Sequence, residues 1–200
     1  EDGRLDGLPV FVDSPMAVAA TKAFALHPEG FSAPMRELLD DGDSPLDFEG
    51  LRLITRVEES IELNRSREPA VIISASGMCT AGRIKHHLKH TLSDGRNTVL
   101  FVGYQAVRSL GRVIQSGTSP VRIFGDWYPV EARIETIDGF SAHADREELI
   151  DWFGALQGPP RHTFVVHGEE DAARSLADVL AERYEAKVTV PTLGQHVELP

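Results

Sequence analysis

The sequence predicts an α/β protein built on a parallel, doubly wound sheet, and three observations carry that prediction. Short β-branched runs at 9–13, 51–55, 70–74 and 98–102 have the length and residue type of buried strands. The segments that alternate with them, 16–26, 58–65, 83–92 and 110–115, space their apolar residues as helices do. Regular alternation of the two is the rhythm of βαβ units, whose crossover helices cover a parallel sheet.

The elements follow in order. The first strand ends in Asp13-Ser14-Pro15-Met16-Ala17, where Ser14 suits an N-cap and Pro15 the first helical position. Residues 40–47 read as a flexible acidic loop. The strand at 70–74 runs into Ser74-Ala75-Ser76-Gly77-Met78-Cys79-Thr80-Ala81-Gly82, a small-residue loop before a helix. Backbone N–H groups in such a loop can approach an anion. It is neither a Walker A loop nor a dinucleotide fingerprint, because no Gly-Lys-Ser/Thr occurs and Gly77 and Gly82 have the wrong spacing. A phosphate cradle and a plain strand-to-helix turn are equally good readings of it.

In the helix that follows, Ile84 and Leu88 should face the core and the basic residues should form a solvated face. His86 and His90 stand four apart but lack a nearby carboxylate to complete a metal site. After Ser116-Gly117-Thr118-Ser119-Pro120 the pattern changes: 121–124 and 128–137 are strand-like, and helices at 146–156 and 171–184 bracket a strand at 163–166. A domain boundary is therefore expected near Gly117, separating 1–117 from 118–200.

Two histidines stand where strands give out. His143 lies in Gly139-Phe140-Ser141-Ala142-His143-Ala144-Asp145, and His167 in Val165-Val166-His167-Gly168-Glu169. Loops at strand ends are where α/β proteins carry their chemistry. This pair resembles the two C-terminal motifs of the β-CASP branch of metallo-β-lactamase-fold nucleases, the group that includes RNase J and the cleavage and polyadenylation endonuclease subunit. Asp13-Ser14-Pro15-Met16-Ala17, Ser74-Ala75-Ser76-Gly77-Met78 and Gly103-Tyr104-Gln105-Ala106 fall in the family's order as well, so the resemblance covers nearly the whole chain.

The resemblance implies a Rossmann-like β-CASP domain with a parallel sheet over 1–117, entered partway along. Over 118–200 it implies the C-terminal part of a metallo-β-lactamase αββα fold. The family's His-x-His-x-Asp-His cluster, which supplies most ligands of a two-zinc site, occurs nowhere between Glu1 and Pro200, and the chain begins without Met. The expectation is a C-terminal fragment of a longer zinc-dependent ribonuclease, inactive by itself, with most zinc ligands outside it.

By the same resemblance His167 is a metal ligand. His143 contacts the scissile phosphate and takes part in proton transfer to the leaving oxygen. Ser74, Ser76 and Gly77 are substrate contacts, joined as substrate-binding candidates by Arg83, Gln105 and Arg108. Arg108 and Ser109 depart from the family's usual Gly-Thr at those positions. Asp145 is expected to cap the helix that begins at Arg146 before it is expected to act in catalysis.

Composition bounds these readings. Two hundred residues, 42% hydrophobic and 26% charged, suffice for a substantial core. No apolar run approaches the eighteen or so residues of a membrane span, and no signal peptide opens the chain, which points to the cytoplasm and away from membranes. Cys79 is the single cysteine, so an internal disulfide is excluded, and it reads as a small residue packed in a turn.

A net charge of −11 opposes a nucleic-acid partner unless cations cluster locally. Arg83, Lys85, His86, His87, Lys89, His90 and Arg96 do crowd one segment, with Arg108 and Arg112 as a second group, while acids gather in 37–49, 58–62 and 169–185. The acid-rich surface could equally be an adaptation to a salty cytoplasm.

Three functions stay open: a zinc ribonuclease acting on single-stranded RNA, a non-catalytic β-CASP homologue that binds RNA or serves as a scaffold, and a nucleotide-binding α/β domain, which would need a phosphate loop of recognised spacing. The helix over 171–185 could also leave a face for a homodimer.

Overall fold

The computed structural model describes residues 7–42, 44, 46–140 and 143–198. Ser141 and Ala142 of the first histidine motif, and residues 43 and 45 of the acidic loop, lie outside the described residues. The chain forms two compact units, 1–140 and 141–200.

In the first unit, β1 (Val10–Val12), β2 (Leu51–Leu53) and β3 (Val71–Ile73) make a parallel ladder in the order β2-β1-β3, with Val10 opposite both Leu51 and Val71. Parallel neighbours need long crossovers. Helices supply them: α1 (Pro15–Ala25) and α2 (Ala33–Asp40) between β1 and β2, and α3 (Val57–Arg65) between β2 and β3. Ser14 caps α1 by accepting from the Ala17 N–H at 3.3 Å, and Pro15 opens the helix as expected. Sequence reading missed α2, a short helix entered through Ser32 and with proline in its first turn.

After α4 (Ile84–Thr91), β4 (Thr98–Val102) pairs in parallel with β7 (Arg133–Ile137), Thr98 opposite Arg133. The sheet expected from the alternating pattern is thus divided into two parallel ladders. β7 lies beyond residue 117 yet belongs to the first compact unit. Between α5 (Leu110–Gln115) and β7 the chain makes an antiparallel hairpin of β5 (Val121–Ile123) and β6 (Asp126–Tyr128). Phe124 and Gly125 turn it with φ of 53° and 97°, the paired positive values of a two-residue hairpin loop.

Leu88 and Leu92 pack with Phe101, Ile114, Val121 and Ile123 in the core of this unit. Each is nearly inaccessible, so truncating any one leucine to alanine should cost about 2–5 kcal/mol.

The second unit holds α6 (Arg146–Gly154), β8 (Thr163–Phe164), α7 (Glu170–Tyr184) and β9 (Val188–Thr189), with β8 and β9 parallel. Asp145 caps α6 as expected: its carboxylate accepts from the Glu148 N–H at 2.9 Å, and Glu148 accepts from the Asp145 N–H at 2.9 Å. Phe153, Leu180 and Ala186 form the core. The Tyr184 hydroxyl donates to the Ile150 carbonyl at 3.1 Å, lying so close to Gly154 that a Cβ there would meet it at 2.5 Å. Among the described residues no helix is long and apolar enough to cross a membrane.

Candidate active site

Asp13 closes β1 and is wholly buried. Burial alone would raise its pKa, but hydrogen bonds from Ser60, Arg83 and His87 outweigh that and hold the carboxyl below its ordinary range. Ser60 Oγ donates to Oδ2 at 2.5 Å, Arg83 Nη1 to Oδ1 at 2.5 Å, and His87 Nε2 lies 2.7 Å from Oδ2. The Arg83 guanidinium reaches further, to the carbonyls of Ile54 at 3.3 Å and Thr55 at 2.9 Å. One carboxylate thereby ties the ends of β1 and β2 to α3 and α4.

On its other side, the His87 ring places Nδ1 2.8 Å from Asn64 Oδ1, while the Asn64 amide donates to the Ser60 carbonyl at 3.0 Å. Burial pushes the His87 pKa down. Asp13 pulls it up, and the neighbouring His86 and His90 add to the depression.

Next to this network runs the loop from Ser74 to Gly82. Ser74 Oγ donates to the Asp13 carbonyl at 2.9 Å. Ser76 spans the loop: its N–H donates to the Ala81 carbonyl at 3.2 Å, and its hydroxyl accepts from the Ala81 N–H at 3.3 Å. Gly82 adopts φ +81°, and a Cβ there would lie 2.5 Å from the Ala75 carbonyl oxygen, so only glycine closes the turn. The Gln105 side chain, 2% exposed, donates from Nε2 to the Gly77 carbonyl at 3.0 Å, and the Gly111 N–H donates to the Met78 carbonyl at 3.1 Å. Gln105 Oε1 is buried without a hydrogen-bond partner. It lies against Gly111, where any side chain would displace it.

Five of the six substrate-binding candidates therefore meet in one assembly: Ser74, Ser76, Gly77, Arg83 and Gln105. Arg108 follows it, exposed and at φ +69°, just before the α5 N-cap Ser109. Within this chain Arg83 is a tie between β-strand ends, with its guanidinium committed to Asp13 and two carbonyls. Cys79 packs in the turn as expected, 3% exposed at φ 56°, its thiol pushed up to about 11 by burial.

His87 departs from the expected solvated basic face of α4. The sequence carried the signal: Ile84, His87, Leu88 and Thr91 share one helical face, so the spacing that buries Leu88 buries His87 with it. Asp13 was equally missed as a hub, because its partners lie 47 to 74 residues away in sequence.

In the second unit both candidate histidines are exposed. His143 stands two residues before the α6 N-cap Asp145. His167 follows β8 at φ 66° and lines a surface hollow of about 340 Å³ together with Val165, Gly168, Arg174, Pro191 and Leu193. Among the described residues no three His, Cys, Asp or Glu side chains converge to hold a metal. An exposed imidazole at a strand end has the chemistry of a single zinc donor.

Residues 1–114 match the Beta-Casp domain model, and residues 127–191 match a model described as a Zn-dependent metallo-hydrolase RNA specificity domain. With more than half its length under the first match, the chain belongs to the β-CASP family of metallo-β-lactamase-fold proteins.

Its relatives include ribonuclease TTHA0252 of Thermus thermophilus, 40% identical over 194 residues, covering 97% of this chain and 44% of that protein. Transcription termination factor FttA of Methanocaldococcus jannaschii is 34% identical over 200 residues, covering 96% of this chain and 31% of the factor. The Pyrococcus abyssi factor is 32% identical over 195 residues, covering 94% and 30%. The chain thus spans less than half the length of these relatives.

Proposed function

We propose that this chain is the C-terminal part of a zinc-dependent ribonuclease that hydrolyses phosphodiester bonds in single-stranded RNA in the cytoplasm. The observation that carries the reading is the pair of exposed histidines, His143 before α6 and His167 after β8, in a chain whose residues 127–191 match an RNA specificity domain of Zn-dependent metallo-hydrolases. The domain reading is 1–117 as β-CASP domain and 118–200 as the segment that completes the metallo-β-lactamase fold, a division supported by family matches that stop at 114 and resume at 127.

In this reading His167 is one ligand of a two-zinc site whose other ligands come from outside these 200 residues. Zinc when bound would activate water and offset the negative charge on the phosphate. His143 touches the scissile phosphate and gives a proton to the 3′ oxygen as its bond to phosphorus breaks, so that water's oxygen ends on the 5′ phosphate and the proton on the 3′ hydroxyl.

The loop at Ser76 and Gly77, with Arg108 beside α5, lies along the RNA backbone. Ser74, Arg83 and Gln105 serve by holding that loop in shape, through the hydrogen bonds they make inside the fold.

The test uses the longer protein that contains this chain. His143→Ala should lower cleavage of single-stranded RNA by about 10²–10⁴-fold with bound zinc unchanged, and His167→Ala should lower the zinc content itself. Unchanged cleavage in both variants would remove the two histidines from the site, and a wild type with no zinc-dependent cleavage would be an RNA-binding or scaffold homologue.

A further inference from the structure

The proposed function uses the strand-end loops and leaves unexplained an exposed aromatic surface at the opposite kind of site, a hairpin tip. Phe124 turns the β5–β6 hairpin and is 52% exposed, and Trp127, on β6, is 65% exposed. The hairpin buries Val121 and Ile123 against Leu88 and Leu92 of the α4 segment, so its packing does not use these two exposed rings.

Cations surround these rings. Lys85 Nζ lies 4.6 Å from the Phe124 ring centroid, and the His86 ring lies 4.6 Å from it at 36°. Lys89 and His90 continue the same exposed helix edge one turn on. Arg122 stands directly across the ladder from Trp127 and donates from Nε to the Gly125 carbonyl at 3.0 Å, which lays it over the tip. The hairpin itself carries one acid, Asp126, opposite Ile123.

We propose that Phe124 and Trp127, with Lys85, His86, Lys89 and Arg122, form a stacking platform for single-stranded RNA. The proposal rests on the ribonuclease reading for the choice of RNA. Charge complementarity supports it: in a chain of net charge −11, lysine and arginine stand here beside two exposed aromatic rings. Interleaved aromatic and basic side chains bind single strands without sequence preference, the rings stacking on bases and the cations facing phosphates. Arg122 beside Trp127 gives one base-and-phosphate unit, and Lys85 beside Phe124 gives a second, so the surface suits two or three consecutive nucleotides.

The experiment is fluorescence anisotropy with fluorescein-labelled hexa-uridylate in EDTA, which keeps cleavage out of the readout. Phe124→Ala with Trp127→Ala should weaken binding at least tenfold, while Trp127→Phe, which retains a stacking face, stays within about threefold. Lys85→Gln with Lys89→Gln should flatten the slope of log affinity against log salt by roughly 1.4, at about 0.7 per charge lost on a single strand. Each variant is compared at an unchanged urea midpoint.

Equal binding by wild type and the double aromatic variant overturns the proposal. Absence of hexa-uridylate binding by the wild type also overturns it and would make the surface a protein contact. Cleavage assays on the same variants separate the two readings. Unchanged binding by the double aromatic variant, with cleavage lost in His143→Ala, removes only this proposal, whereas wild-type cleavage by His143→Ala removes the histidine assignment of the nuclease reading and leaves the binding result standing.

Discussion

Around Asp13 polar groups are turned inward: a carboxylate, a guanidinium, an imidazole and a hydroxyl satisfy one another across four elements with little water. In the second unit, His143 and His167 sit at strand and helix ends, exposed. The same residue types do opposite work in the two places. A buried network is costly to break because each remaining member loses its partner in a medium that does not replace it. An exposed side chain can be removed with less effect on folding.

The contrast can be broken most sharply at Asp13. Asp13→Ala should destabilise the first unit by about 3–5 kcal/mol, leaving Arg83 and His87 without their shared carboxylate, whereas His167→Ala should stay within about 0.5 kcal/mol of wild type. Urea unfolding of the two variants decides it, and a mild Asp13 variant would mean the network is decorative.

Next in size is Gly82→Ala, whose Cβ would collide with the Ala75 carbonyl at a positive φ; a loss of about 1–3 kcal/mol is expected by thermal melting.

Acid should find the first unit before the second. His87 holds its proton less readily folded than unfolded. As pH falls below the ordinary value of 6.5, the unfolded chain gains a proton that the folded chain refuses, and stability drops. Above that value the group contributes no pH dependence. Asp13 adds a second loss as pH falls below its ordinary 3.8, again because the folded form is the poorer proton acceptor. Denaturant midpoints from pH 7 to 5 should fall for wild type and fall less for His87→Gln.

The smallest effect is expected at the α6 cap, where Asp145→Ala should cost about 1 kcal/mol without changing metal content, as measured by urea midpoint and zinc analysis.

Much of this was legible in the chain. Local rules govern caps and turns, so Ser14, Pro15 and Asp145 could be placed from their neighbours alone, and the Cys79 turn from its small residues. The α/β alternation was readable because strand and helix periods differ. Pairing was not: β4 chooses β7 thirty-odd residues on, a choice made by packing over Leu92, Phe101 and Ile114. α2 was hidden by its polar composition and its early proline. At the site, the small-residue loop announced itself, but the inward turn of Arg83 did not, since an arginine at a helix start reads the same whether it meets a phosphate or an aspartate. His87 was within reach of helical spacing and was masked by the cations on either side of it.

The buried Cys79 offers a clock for the loop it lies beneath. It is the single thiol of the chain, and with its proton held to about 11 it will not react while the turn is closed. Labelling by a thiol reagent therefore counts openings of the Ser74–Gly82 segment one molecule at a time, with no engineered probe. Comparing that rate with global unfolding tells whether the loop opens alone or only with the whole sheet. A ligand seated on the loop would be heard as a slowing of the tick.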